Sequence, residues 1–259
     1  MHFFRATNYR TYFLRAFIIL FTLSLLVLSA LFYLGIRLSN DRQMIFNKES
    51  QQREILIEKG IITNYLDETV LDLSVLAQIS NLTERSSKSP QPEITKNAFG
   101  KLVIELFNRK PKYQKFQVYD LRGDATFAIQ WKDNHPVITD IHGLKESCNP
   151  IYFQEALQVD SGKIYVFPLV LNIENLQPTI RICTPKFNGA IKTGVCVLNI
   201  DGNILLDKIN VHTENIPGIQ YLINSEGYFL AGQDTSYNWG FMFPNKKDKT
   251  IEQRFPKSF

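Results

Sequence analysis

The sequence predicts an α+β protein: an N-terminal transmembrane helix, a long stalk helix, an antiparallel five-stranded sheet with flanking helices, and the start of a second unit of the same kind. Three observations carry this. Ala16 to Ile36 is an uncharged apolar run of 21 residues between Arg15 and Arg37. Apolar residues then recur at helical spacing, with no Pro, as far as Ser80. From Phe116 onward, β-branched and aromatic segments alternate with turn signals.

The apolar run is the first element. At 1.5 Å rise per residue it spans roughly 30 Å, the thickness of a bilayer core. A cleaved signal peptide has a shorter apolar region of about 7 to 15 residues and a small-residue cleavage site, and Ser29-Ala30-Leu31-Phe32 makes a poor one. The reading is therefore an uncleaved anchor at residues 16–36 behind a short arm, residues 1–15. Residues 1–15 and 37–51 each hold three Lys or Arg, so the charge rule leaves orientation tied.

The stalk, residues 37–85, carries the stripe Ile55, Ile62, Leu66, Leu73 and Leu76, with a break or kink expected near Gly60. Ser86 to Pro92 reads as a loop. A second helix fits Thr95 to Asn108, with Ala98, Phe99, Leu102, Val103 and Leu106 on one face and Pro111 as its stop. Strands are expected at Phe116 to Asp120, Thr126 to Trp131, Lys163 to Leu171, Thr179 to Thr184 and Thr193 to Ile200. Between the second and third, Asn134 to Asp160 reads as a long loop ending in a short helix at Tyr152 to Leu157. After Asp201 comes a short helical piece, then a strand–turn–strand pattern at Gly218 to Asn224 and Gly227 to Leu230.

Composition removes several classes of function. Of the net charge of +4, Arg5, Arg10 and Arg15 supply three, so the rest carries about one positive charge and gives no general case for nucleic-acid binding. Three cysteines without a CxxC pair exclude a disulfide-dense scaffold and a zinc ribbon. No Gly-x-Ser-x-Gly elbow, phosphate-cradling Gly loop or His-Glu-x-x-His helix occurs, so no catalytic residue is assigned and the chain is read as a non-enzyme. His135, Asp140, His142, Glu146 and Cys148 crowd one loop, but their spacing matches no metal motif; no metal or cofactor is assigned.

Tyr152-Phe153-Gln154-Glu155-Ala156-Leu157, Gly162 to Val166, Ile180 to Pro185 and Trp239 to Pro244 resemble the double Cache sensor modules of bacterial transmembrane receptors, of histidine kinase, diguanylate cyclase or chemoreceptor type. The resemblance covers roughly residues 40–259. It implies PAS-like lobes: a membrane-distal lobe at 86–211 packed with the stalk, and a membrane-proximal lobe begun at 212–259 and left incomplete. It also implies a cytoplasmic N-terminus, an extracytoplasmic bulk and a bacterial inner-membrane location. In relatives that bind amino acids, the distal pocket uses a word close to Arg-x-Trp-Tyr-x-x-Ala, a later Tyr, and an Asp on the last strand. Aligning Ala156 on the motif puts Tyr152 and Phe153 on the aromatic pair, Pro150 in place of Arg and Asn199 in place of Asp, with Tyr165 as a further aromatic candidate. Both charged anchors for a zwitterion are missing, which argues against an α-amino acid. The aromatics suit either a small, partly apolar ligand or plain core packing. Arg181 alternates with Ile180 and Ile182, and is either an anion hook in the cleft or a solvated side chain.

Cys183 and Cys196 sit on adjacent predicted strands joined through Asn188-Gly189. A hairpin symmetric about Gly189 and Ala190 pairs residues whose numbers sum to 379, placing the two cysteines opposite each other and within reach of a disulfide. A one-residue shift puts them on opposite faces as two thiols.

The expected function is a membrane-anchored extracytoplasmic sensor that binds a small ligand for signal transduction, without an output domain of its own. Its partners are that ligand and the lipid bilayer, with a homodimer or an intact receptor as protein partner. A membrane-tethered interaction or dimerisation module without a small ligand is the alternative, and a non-functional receptor fragment is the third reading.

Overall fold

The computed structural model describes residues 4–86, 92–139, 150–213, 220–232 and 234–256. The chain divides into two units at Ile57/Glu58. The first consists of the N-terminal part of helix α1 (Phe4–Ser86), whose side chains from Tyr12 to Leu38 are largely exposed and apolar. This helix alone, among the described residues, is long and apolar enough to cross a membrane. It runs through Gly60 without a break, so the expected interruption is absent.

In the second unit α1 buries Tyr65, Thr69, Leu73, Leu76, Ala77 and Ser80, with Ile62 and Leu66 partly buried beside them. The stripe is therefore centred on a different edge than apolar spacing alone predicts. Two hydroxyls join it because the helix satisfies them: Thr69 Oγ1 donates to Tyr65 O at 3.0 Å and Ser80 Oγ to Ala77 O at 2.9 Å. Helix α2 (Pro92–Arg109) buries Phe99, Val103 and Phe107 at i, i+4, i+8 and leaves Ala98 and Leu102 exposed.

The sheet comprises β1 (Tyr113–Asp120), β2 (Ala125–Lys132), β3 (His135–Ile138), β4 (Tyr165–Val166), β5 (Val170–Leu171), β6 (Pro178–Asn188) and β7 (Ile191–Asp201). Its order is β3-β2-β1-β7-β6-β4, with β5 also on β6, and every pairing is antiparallel. The five expected strands are present, and β3 extends one edge from within the segment read as loop. The strand expected at Lys163 to Leu171 is split around Pro168, which has no N–H for the ladder. Helix α3 (Pro150–Gln158) lies before β4 and α4 (Gly202–Thr213) follows β7. On one face Phe116, Val118, Phe127, Ile129, Ile182 and Leu198 pack against α1 and α2.

The hairpin of β6 and β7 corrects the disulfide. At the turn, Asn188 pairs with Ile191 around Gly189, whose φ of 65° suits a tight loop, and the numbers sum to 379 as expected. A bulge then intervenes: Phe187 pairs with Lys192 but Lys186 with Gly194, so Thr193 is the extra residue and the sum becomes 380. Cys183 consequently faces Val197, and Cys196 faces Thr184. The two thiols belong to cores on opposite faces of the sheet and are not bonded to each other. Gly194 is needed beside the bulge, because a Cβ there would collide with the Tyr119 carbonyl of β1.

The tail holds more structure than a lone hairpin. Strands β8 (Tyr221–Ile223) and β9 (Phe229–Gly232) enclose a turn in which Asn224 Oδ1 accepts from the amides of Glu226 and Tyr228. Phe229 is buried, and the Arg254 guanidinium of the short α5 (Ile251–Arg254) sits 4.3 Å from the Tyr237 ring centroid and 5.4 Å from that of Tyr221. The Leu171 amide donates to Met242 Sδ at 3.1 Å, which ties the tail to β5.

Candidate functional site

Strand alternation gives the sheet a second face of different chemistry. There, β1 presents Lys115, Gln117 and Tyr119, β6 presents Arg181, and β7 presents Val197 and Asn199. Helix α3 covers the apolar end, where Ala156 is buried with Tyr119, Phe167, Cys183, Val195 and Val197. The polar end opens as a cleft of about 440 Å³. That volume lies within the range of small-molecule sites.

Register arranges the polar side chains in a row across four adjacent strands. Arg181 pairs with Asn199, Asn199 with Lys115, and Lys115 with Gln130 of β2. Strand spacing of about 4.8 Å makes this row roughly 14 Å long. Arg181 is held from two sides: its guanidinium lies 4.1 Å from the Tyr152 ring centroid, and Nε donates to Asn199 Oδ1 at 3.2 Å. At the β2 end the cleft reaches the backbone side of Trp131, whose indole lies on the opposite face against the core with Nε1 donating to Tyr113 O at 2.6 Å. The remaining wall is the loop after β5, where Asn172 Oδ1 accepts from the Glu174 amide and Asn175 Oδ1 from the Gln177 amide.

Of the residues singled out in the sequence, Tyr152, Arg181 and Asn199 come together at this cleft. Phe153 and Tyr165 do not line it. Phe153 is one helical step from Tyr152, about 100° around α3, and packs over Gly123 in the β1–β2 turn. Tyr165 pairs with Cys183 on the edge strand, is 37% exposed, and rests its ring 4.5 Å from that of Phe167. Lys115, Gln117 and Gln130 were overlooked, although Lys115 and Gln117 alternate with the buried Phe116 and Val118 and so carry a period-two signal. Of the metal-type residues, Asp140, His142, Glu146 and Cys148 lie outside the described residues, while His135 is on β3. The described residues contain no cluster able to hold a metal ion.

A second group of charges joins α1 to the start of the sheet. Glu68 and Asp72, one turn apart on α1, meet Lys110 at 2.8 and 2.5 Å. Lys112 also donates to Glu68, and the Tyr113 hydroxyl donates to Asp72. Hydrogen bonds from Lys110 and Lys112 hold the Glu68 carboxyl down at about 2. Burial works against the charge of Lys110, but its bonds to Asp72 and Glu68 outweigh this and raise its pKa. Burial, and then the bond to Asp72, push the Tyr113 phenol far up. Tyr65 is likewise raised, first by burial and then by the charges of Asp201 and Glu68, and its hydroxyl donates to Asp201 O at 2.6 Å. The sequence signal was the i, i+4 acidic pair beside the apolar stripe, facing Lys110-Pro111-Lys112.

A long helix backing an antiparallel PAS-like sheet, with a polar cleft on its free face, defines a sensor-type domain. The family model for the sensor domain of bacterial histidine kinases matches residues 70–259, and the chain belongs to that family. Among solved structures, it is similar to the extracellular domain of a protein described as a histidine kinase, vpHK1S-Z8, with a TM-score of 0.67 at 16% identity over 82% of this chain and 79% of the other. A domain of a protein described as sensory box/GGDEF family, from Vibrio parahaemolyticus, gives 0.67 at 17% identity over 81% and 80%. The ligand-binding domain of the Campylobacter jejuni chemoreceptor Tlp3, in complex with L-norvaline, gives 0.57 at 14% over 82% and 77%. No curated protein sequence matches the chain. At these identities the likeness establishes fold: an α+β sensor domain resembling the ligand-binding domains of receptors.

Proposed function

We propose that the chain is a membrane-anchored sensor of signal transduction whose cleft between α3 and the β6-β7-β1-β2 face binds a small polar ligand. The apolar part of α1 crosses the inner membrane, the first residues lie in the cytoplasm, and the second unit lies outside. The observation that carries the ligand reading is the row Arg181, Asn199, Lys115 and Gln130 at a cleft of about 440 Å³. An antiparallel sheet can simply leave one face polar and solvated; here that face is walled by α3 and the loop after β5 into a cleft with a fixed guanidinium. Chemoreceptor Tlp3 holds L-norvaline in a domain of this fold, which supports a small-molecule site. Two measurements test the proposal. With the full chain in detergent micelles, a cognate small molecule raises the melting temperature by mass action, and Tyr152→Ala removes the rise. A reporter fused after Phe259 is active only as a periplasmic enzyme; cytoplasmic activity would overturn the orientation.

A further inference from the structure

Resting on the ligand reading above, we infer that the cleft selects a small hydroxylated carboxylate of the sugar-acid class, with Arg181 as the carboxylate anchor. The first ground is charge. Arg181 is half-buried and fixed by Tyr152 and Asn199, and no carboxylate among the described residues pairs with it. A guanidinium so placed gains most from a bidentate anion. Lys115 stands two strands away in the same row, toward its Gln130 end. Among the described residues, the one carboxylate lining the cleft is Glu174, exposed on the rim loop. Asn199, directly opposite Arg181, presents an amide where a carboxylate would hold an ammonium. Among the described residues the floor thus presents a guanidinium and no carboxylate to pair with an ammonium.

The second ground is the neutral part of the lining. Gln114, Gln117, Gln130, Asn172, Asn175 and Asn199 all reach the cleft. Each side-chain amide carries both a donor and an acceptor, the pairing that a hydroxyl, itself donor and acceptor, satisfies. In Gln114, Asn172, Asn175 and Asn199 the side-chain oxygen already accepts a hydrogen bond within the protein, so what they offer a ligand is the amide N–H, which a hydroxyl oxygen can accept and an aliphatic chain cannot. Arg181 for the carboxylate and amides for hydroxyls together describe a hydroxylated acid.

The experiment is isothermal titration of the full chain in micelles with four probes: glucuronate, its neutral parent glucose, hexanoate, which lacks hydroxyls, and L-valine. Glucuronate is expected to bind at least about tenfold more tightly than each of the others. Asn199→Asp, which keeps the volume but gives Arg181 an internal carboxylate, is expected to weaken glucuronate at least about tenfold. Glu226→Gln, an exposed carboxylate in the β8–β9 turn outside the cleft, is expected to leave it unchanged. Circular dichroism and melting confirm that each variant is folded. Tighter binding of valine, hexanoate or glucose, or glucuronate binding indifferent to Asn199→Asp, would overturn the sugar-acid assignment while leaving the small-ligand sensor intact. If none of the four probes binds, the assignment fails; a broader library that also fails to shift the melting temperature would remove the ligand reading itself.

Discussion

Removing the Asp72 carboxylate tests whether the charged group between α1 and β1 holds the second unit together. Asp72 accepts the Tyr113 hydroxyl and binds Lys110 at 2.5 Å. Tyr113 is fully buried, so in Asp72→Ala its hydroxyl loses its anionic acceptor, which for a buried donor costs about 1–3 kcal/mol. Two features reduce that figure. Thr69, whose own hydroxyl proton goes to Tyr65 O, lies beside the Tyr113 hydroxyl and its oxygen can accept from it once Asp72 is gone, and Lys110 keeps Glu68 at 2.8 Å in a half-exposed pair worth little alone. The expected loss is therefore about 1–2 kcal/mol. For a unit of this size that lowers the melting temperature by about 2–8 °C. The assay is thermal melting followed by circular dichroism in micelles, run as a double-mutant cycle with Tyr113→Phe. Phenylalanine has no hydroxyl to leave unsatisfied, so Tyr113→Phe should cost less in the Asp72→Ala background than in the wild type, by about 1 kcal/mol of coupling. A single-mutant shift below about 1 °C, or a cycle that is additive, would refute the argument that the buried phenol depends on this carboxylate.

Glu68, held near 2 in the folded chain against its usual 4.5, contributes stability that is fully present above about pH 4.5 and lost as pH falls toward 2. Its side chain is 52% exposed, so the contribution is below about 1 kcal/mol after screening. Wild-type melting temperature should therefore fall more steeply than that of Glu68→Gln between pH 5 and 2, and parallel curves would count against the bond to Lys110 and Lys112. Peptide mapping of the unreduced chain should find no bond between Cys183 and Cys196; a Cys183–Cys196 crosslink would contradict the register of β6 and β7.

Element identity was legible in the sequence where one signal dominated. The uncharged run at Ala16 to Ile36, the helical stripe around Leu73 and Leu76, and the alternation at Phe116 to Asp120 all resist competing readings, and helices and strands stand at those positions. What failed depended on long-range partners. Strand β3 is four residues containing Pro136, with no pattern of its own, and exists because Trp131 and Lys132 offer an edge to His135 and Pro136. Thr69 and Ser80 looked too polar for a core, yet their own helix satisfies them and the sheet covers them. The cleft was half legible. Arg181 and Tyr152 were visible as types, while the row joining them to Lys115 and Gln130 exists only through register, which no local pattern encodes.

Register also explains why the cysteines separate and the cleft forms. With Thr193 in the bulge, residues of β6 and β7 beyond Lys186 pair at a sum of 380, which sets Arg181 against Asn199 and Cys183 against Val197. At a sum of 379, the register of the turn itself, Cys183 would meet Cys196 and Arg181 would meet Leu198. Side chains alternate with period two, so that shift would carry Leu198 and Cys196 from the core beneath α1 and α2 onto the face of Arg181, and Asn199 into the core. The apolar side could not tolerate the exchange: Leu198 and Ile200 are fully buried there, and an unpaired amide in their place would cost several kcal/mol. Burial on one face thus selects the bulged register, and the bulged register leaves Asn199 opposite Arg181 on the other. The polar cleft is a consequence of how the hydrophobic core closes, which is why one inserted residue in β7 decides both the fate of the thiols and the chemistry of the site.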